Sequence, residues 1–294
     1  MDQQTANKWK SDVLDMLFEA LAESDRLVDC IVFKGARVLN KRLDSFPRQS
    51  LDIDANLLAE FVEENPEFTT QREILESEIG ASINRYFEKE SPVRFQLTNI
   101  RIELRPRNKH PRGWNAFTVT ISIKDFKNIG VRALPNLKID LAAPEDLGDD
   151  SIAPLDIGGH DVNAYTVERM AGEKLRAFLS SLPSYRKKVT KPGEAVRAKD
   201  IYDIARIINK FPVTNNNFWE KAGEEFVRSC RSRYIDCAGI NTFEENLQVT
   251  EDTYNKDTTL PGDISFECAW TALTKLIDLF EENNVIPFEN PLTE

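Results

Sequence analysis

The sequence has little that could build a thiolate metal site or a disulfide framework. Its four cysteines, Cys30, Cys230, Cys237 and Cys268, are scattered without a C-x-x-C pair, and the two histidines, His110 and His160, lie far from them. Reduced thiols in a cytoplasmic protein are the reading that remains. No stretch approaches the ~20 apolar residues of a membrane span. The opening segment 1–17 is polar and of mixed charge, with no apolar signal core, so a soluble protein with no membrane partner is expected. Net positive charge is missing too. The chain carries 38 basic and 49 acidic residues, for a formal charge of −11. That argues against broad, sequence-blind adhesion to nucleic acid, while leaving room for a local basic channel.

What is present suffices for a folded core, since hydrophobic residues make up 41% of the 294, a composition that argues against wholesale disorder. Apolar spacing predicts an amphipathic helix over 5–24, then a β-rich run, 26–33, that stops at Gly35. A short helix, a polar loop and a second strand near 51–58 follow. A long helix over 69–89 has Thr69 or Thr70 as its cap, with Glu73 reaching back. Alternating residues over 92–104 and 115–126 predict a strand pair joined by a basic loop, and 137–141 a further strand. Residues 145–160, rich in Asp, Gly and Pro, read as a boundary loop. Helices are expected at 166–181, 194–210, 217–231, 242–249 and 265–282. The fold class is therefore α+β, with a small mixed sheet in residues 1–160 and a helical domain in 161–294.

Three segments carry chemistry. In Arg48-Gln49-Ser50-Leu51-Asp52-Ile53-Asp54, the period of two sets both carboxylates on one strand face and Ile53 on the other. Adjacent carboxylates repel unless a cation sits between them, and hard oxygen ligands on a rigid strand suit Mg²⁺. Just upstream, Lys34-Gly35 forms a strand-to-helix turn at which backbone N–H groups can approach phosphate. Lys138-Ile139-Asp140 offers a third acid that would share a metal and draw a proton from an attacking hydroxyl. Each acid alone also suits a solvated strand end.

Helical geometry supplies the third segment. At about 100° per residue, Lys174 points from the middle of an apolar stripe formed by Val167, Met170, Ala171, Leu175 and Phe178. On the next strongly periodic helix, Asp200 and Arg197 fall inside the apolar arc, and Asp203 sits on its edge. Burying such charges unpaired costs several kcal/mol, so they must pair or line a cavity. A structural ion pair among Lys174, Arg197 and Asp200 and a functional site both satisfy that demand.

Taken in order, Lys34-Gly35, Ser50-Leu51-Asp52-Ile53-Asp54, Lys138-Ile139-Asp140, Glu173-Lys174-Leu175-Arg176-Ala177 and Arg197-Ala198-Lys199-Asp200-Ile201-Tyr202-Asp203 resemble the motifs of the AbiEii/AbiGii family of nucleotidyltransferase toxins. The resemblance spans residues 33–204. It implies a DNA-polymerase-β-like nucleotidyltransferase core with a helical C-terminal domain. It further implies two Mg²⁺ ions (or Mn²⁺), a bound NTP, and a toxin role in a toxin–antitoxin or abortive-infection system beside a cognate antitoxin. By that carry-over Asp52, Asp54 and Asp140 hold metal, and Lys34, Gly35, Arg37, Ser50, Lys174 and Arg197 meet the nucleotide. Asp200 supports Lys174 or acts as a base.

The expected reaction transfers NMP from an NTP to a hydroxyl of RNA, such as tRNA, or of a protein. Basic segments at Arg101–Arg112 and Arg186–Lys199, with Trp114 or Tyr185 to stack a base, are the candidate RNA contacts. The turn departs from the family pattern: Ala36 stands where a second glycine or a hydroxyl residue is usual, and Arg37 follows it. That motivates a second reading, a nucleotide-binding regulator or partner-binding protein of the same fold with weakened catalysis.

Overall fold

The computed structural model describes residues 2–45, 48–128, 134–189 and 195–292. The chain divides into two compact units. One comprises Met1–Val38, Gln49–Glu145 and Ala153–Tyr165; the other comprises Leu39–Arg48, Asp146–Ile152 and Thr166–Glu294. Among the described residues, no helix is long and apolar enough to cross a membrane.

The first unit opens with α1 (Gln3–Ala22), whose Asp2 side chain caps the helix by accepting from the Thr5 N–H. A helical turn, α2 (Asp25–Val28), precedes β1 (Ile31–Lys34) and α3 (Gly35–Arg42). Then come β2 (Ile53–Leu57), α4 (Ala59–Glu64), α5 (Phe68–Glu88), β3 (Phe95–Arg105), β4 (Ala116–Asp125), β5 (Leu137–Ala142), β6 (Ile152–Ile157) and β7 (His160–Tyr165). The seven strands form one sheet in the order β3-β4-β5-β2-β1-β7-β6. The β2/β5 and β1/β7 pairs are parallel, and β1/β2, β3/β4 and β4/β5 are antiparallel.

The sheet has two unlike faces. Residues directly opposite in a ladder point to the same side, so the register defines rows. Phe33, Ala55, Leu141 and Phe117 form one buried row, and Ile53, Ile139, Val119 and Ile102 a second. Helices α1 and α5 cover this face: the Phe18 ring meets Phe33 edge-on at 5.0 Å, and Phe68 meets Phe117 at 6.4 Å. Each such side chain contributes about 1.5–3 kcal/mol on burial. That fixes the register, because a one-residue slip would drive Asp54 and Asp140 under the helices.

Several expected elements differ. Residues 26–28 are helical because the Ser24 hydroxyl caps α2 by accepting from the Leu27 N–H, so the strand begins only at Ile31. Neither Thr69 nor Thr70 caps α5; Glu67 occupies that position without a side-chain hydrogen bond. The expected loop at 145–160 contains β6 and the start of β7. They are joined by Gly158 and Gly159, both at positive φ, the conformation that two-residue hairpin turns require.

The second unit is helical: α6 (Val167–Leu179), α7 (Pro183–Arg186), α8 (Lys199–Lys210), α9 (Asn216–Arg231), α10 (Ile240–Phe243), α11 (Leu247–Lys256) and α12 (Phe266–Glu282). Helix α6 packs on α8 and α9, and α12 packs on α8. The helix expected at 242–249 is two, broken at Asn246, which is left-handed. The helix expected from 194 starts at Lys199; residues 190–194, which also belong to the basic segment Arg186–Lys199, lie outside the described residues.

Candidate active site

On the sheet face opposite the helices, the register aligns Lys34 of β1, Asp54 of β2, Asp140 of β5, Thr118 of β4 and Glu103 of β3 in one row. Asp52, one residue before β2, joins the row's two acids. Oxygens of Asp52, Asp54 and Asp140 all lie within 4.8 Å of one another, and each residue is half-buried. Asp140 is held at both oxygens. Thr118 Oγ1 donates to Oδ1 at 3.0 Å, and Lys138 Nζ donates to Oδ2.

Local chemistry sets the other two acids. Asp52 is steadied through its main chain, its carbonyl accepting from Ser50 Oγ at 3.0 Å and from Arg37 Nε at 3.2 Å. Asp54 lies against Gly35, which sits at φ +79°; a Cβ there would stand 2.2 Å from Asp54 Oδ2. The turn glycine is therefore required twice, by its backbone and by its neighbour. Arg37 is buried. Its guanidinium donates to Asp15, to the Ser11 carbonyl and to the Ser50 carbonyl at 2.6 Å. The side chain expected at a phosphate is thus directed inward, where it braces the approach to β2. Lys34 Nζ stands 3.9 Å from Glu145 and 5.6 Å from the Tyr165 ring centre. Burial lowers the Lys10 ammonium below its ordinary pKa; Asp52 opposes this, and nearby Lys138 and Arg37 add to it.

The donor set fits a small divalent cation. Three hard carboxylate oxygens converge within 4.8 Å of one another, the ligand type that Mg²⁺ prefers.

In the second unit, Lys174, Arg197 and Asp200 do meet, inside a larger cluster. Lys174 Nζ reaches Asp200 Oδ1 at 3.0 Å and Asp203 Oδ2 at 2.8 Å. Arg197 Nε donates to Asp200 Oδ2 at 2.6 Å. Arg48 grips Asp203 with two parallel bonds of 2.9 and 2.8 Å, and Arg206 approaches the same carboxylate at 3.6 Å. Both aspartates are fully buried. Burial alone would raise their pKa values, but Arg197 and Lys174 hold Asp200 at about 2, and Arg48 and Lys174 hold Asp203 well below the usual carboxylate range. Burial works to lower Lys174, yet Asp200 and Asp203 prevail and raise it. Four cations thus face these two carboxylates, and Asp263 also acts on Arg206.

Sequence reasoning missed the parts played here by Arg48, Asp203 and Arg206. Asp203 was legible as an edge position of its helix and as the last residue of a motif, with no partner named, and Arg48 lies 155 residues from it. The local signal was the two charged residues, Asp203 and Arg206, one turn apart on an isoleucine-rich helix.

A sequence model of the family described as "Nucleotidyl transferase AbiEii toxin, Type IV TA system" matches residues 17–270. No curated protein sequence matches the chain. Among solved structures, JHP933 from Helicobacter pylori is similar at a TM-score of 0.52 with 14% identity, over 96% of this chain and 94% of that one. The nucleotidyltransferase toxin MenT4 from Mycobacterium tuberculosis H37Rv aligns at 0.49 with 11% identity, over 94% and 84%. The likeness to JHP933 speaks to the fold alone, whereas the family match extends over most of the sequence. This chain belongs to the AbiEii nucleotidyl transferase toxin family.

Proposed function

We propose that the chain transfers NMP from an NTP to a hydroxyl of RNA, with Mg²⁺ held by Asp52, Asp54 and Asp140, as the toxin partner of a cognate antitoxin. The observation that carries this reading is the convergence of those three acids on one sheet face, with Gly35 packed against Asp54. In the reaction the acceptor oxygen forms a bond to the α-phosphorus, the bond from that phosphorus to the bridging oxygen breaks, and pyrophosphate leaves. Metal held by the three carboxylates would supply charge neutralisation and a lowered pKa for the attacking hydroxyl. Asp140 takes the hydroxyl proton. Ser50 and Arg37 keep Asp52 in place, and Thr118 keeps Asp140 in place. Lys174, which the family motif assigns to the triphosphate, pairs with Asp200 and Asp203 inside the helical unit.

RNA is favoured over protein as acceptor by the loop between β3 and β4. Between Arg105 and Lys124 the chain has five basic residues and no acid, on a molecule of charge −11. The loop is braced from within by buried Asn115, which accepts from the His110 N–H at 2.7 Å and donates to the carbonyls of Pro106 and Asn108 at 3.0 Å. Arg105, Arg107, Lys109 and Arg112 are exposed on it. Trp114 is stacked on His110 at 5.1 Å with Arg112 over its ring, so it shapes the loop. Ala116, where the loop ends, precedes Thr118 by about 7 Å of strand, which sets the basic surface near the acid row. Incubation with each α-labelled NTP and total RNA is the test: label should pass to RNA only with a divalent cation present, and label on protein alone would refute the RNA reading.

A further inference from the structure

The acid row carries its own cation. Lys138 lies two residues before Asp140 and on the same face of β5, and its Nζ donates to Asp140 Oδ2. The register pairs Ile53 with Ile139, and Asp52 and Lys138 are the residues immediately before them. Lys138 therefore stands beside two of the three acids that converge. Its side chain is 42% exposed, so the ammonium keeps access to solvent while it is tied to Asp140. A metal ion bound to Asp140 at Oδ2 and an ammonium at hydrogen-bond distance from the same oxygen would repel each other strongly in a half-buried site.

We infer that Lys138 is the resident cation of the acid triad: it holds Asp140 in place without metal, and yields that oxygen when a divalent cation arrives. This rests on the triad being a metal site. The displaced ammonium stays next to the triad and is free to take a phosphate oxygen, so nucleotide and metal each favour the binding of the other. Lys138 is a positioning residue in this scheme. It keeps the carboxylates ordered at low metal concentration and delays metal loading until the NTP is present.

The test is a Mn²⁺ titration of the full chain without nucleotide. Lys138→Met should bind Mn²⁺ about tenfold more tightly than the wild type, and Lys138→Arg should match the wild type. In saturating Mn²⁺, the affinity of Lys138→Met for a non-hydrolysable NTP should instead fall about tenfold. A purely structural lysine would not move these two affinities in opposite directions. Thermal melting should be little changed, given the exposure of the side chain. If Lys138→Met binds Mn²⁺ no more tightly while Asp54→Asn abolishes binding, the role given to Lys138 is wrong and the metal site stands. Equal Mn²⁺ binding by wild type and Asp54→Asn would overturn both.

Discussion

Gly35 and Asp54 are in contact across the β1–β2 edge: the space a Cβ would need on Gly35 is filled by the Asp54 carboxylate, 2.2 Å away. The residue that turns the chain from strand to helix is thus also the wall behind a metal-binding acid. Gly35→Ala should cost about 1–3 kcal/mol from its positive φ alone, and should also push Asp54 out of line. Metal affinity and transfer should fall more than a hundredfold, while circular dichroism shows a folded protein with a lowered melting temperature. A Gly35→Ala variant with unchanged metal affinity would show that Asp54 has room to move.

The buried cluster around Asp203 allows a prediction decided by charge. Removing one member of a buried pair typically costs about 3–5 kcal/mol. Arg48→Met leaves three cations facing two carboxylates, whereas Asp203→Asn leaves four facing one. Asp203→Asn should therefore lower the urea midpoint at pH 7 more than Arg48→Met does, although Arg48→Met removes both bonds of the pair and the asparagine oxygen can still accept one. The reverse order would mean that the geometry of the Arg48 fork outweighs the charge balance.

Much of this was readable in the residues themselves. The alternation Asp52-Ile53-Asp54 separates site from core because a strand has a period of two, and helix counting on Lys174 and Asp200 found a pair that does form at 3.0 Å. Other features depend on pairings that no local pattern encodes. Thr118 became a partner of Asp140 through the β4–β5 register, and Arg48 reached Asp203 across 155 residues. Arg37 reads as a phosphate ligand from its place in the turn. Only the path of the chain shows that Asp15, Ser11 and Ser50 surround it. Hairpin β6–β7 was hidden because its Gly158-Gly159 turn has the composition of a loop.

Acid should weaken the helical unit in a defined window. Asp200 is held at about 2 against an ordinary 3.8, and Asp203 is lowered as well. A depressed carboxylate stabilises the fold fully above its unfolded pKa and loses that contribution as pH falls toward its folded value. Stability should be flat from pH 7 to about 5 and should decline from about 4 to 2, with Asp200 contributing on the order of 2 kcal/mol. Urea midpoints measured from pH 7 to 2 check this, and Asp200→Asn should flatten the decline. Loss of most stability between pH 7 and 5 would assign it to other groups.

The basic loop makes a salt-dependent prediction. If Arg107 and Lys109 neutralise RNA phosphates, replacing both with serine should reduce the slope of log affinity against log salt by about 1.4 for single strands. Asn115→Ala should weaken RNA binding at every salt concentration by loosening the loop, and should make the loop sensitive to protease. Fluorescence anisotropy with catalytically silent Asp52→Asn as background separates binding from transfer. An unchanged slope in the double variant would remove this loop from the acceptor surface.

The most direct measurement is single-turnover transfer of label from an α-labelled NTP by wild type and by Asp54→Asn, each verified as folded and each assayed with and without Mg²⁺. The expected result is Mg²⁺-dependent transfer by the wild type and a loss of about a hundred- to a thousandfold in Asp54→Asn, of the size seen when a group acting directly on the transition state is removed. Equal transfer by the two proteins, or transfer by the wild type that ignores Mg²⁺, would contradict the assignment of Asp52, Asp54 and Asp140 as the metal-holding centre.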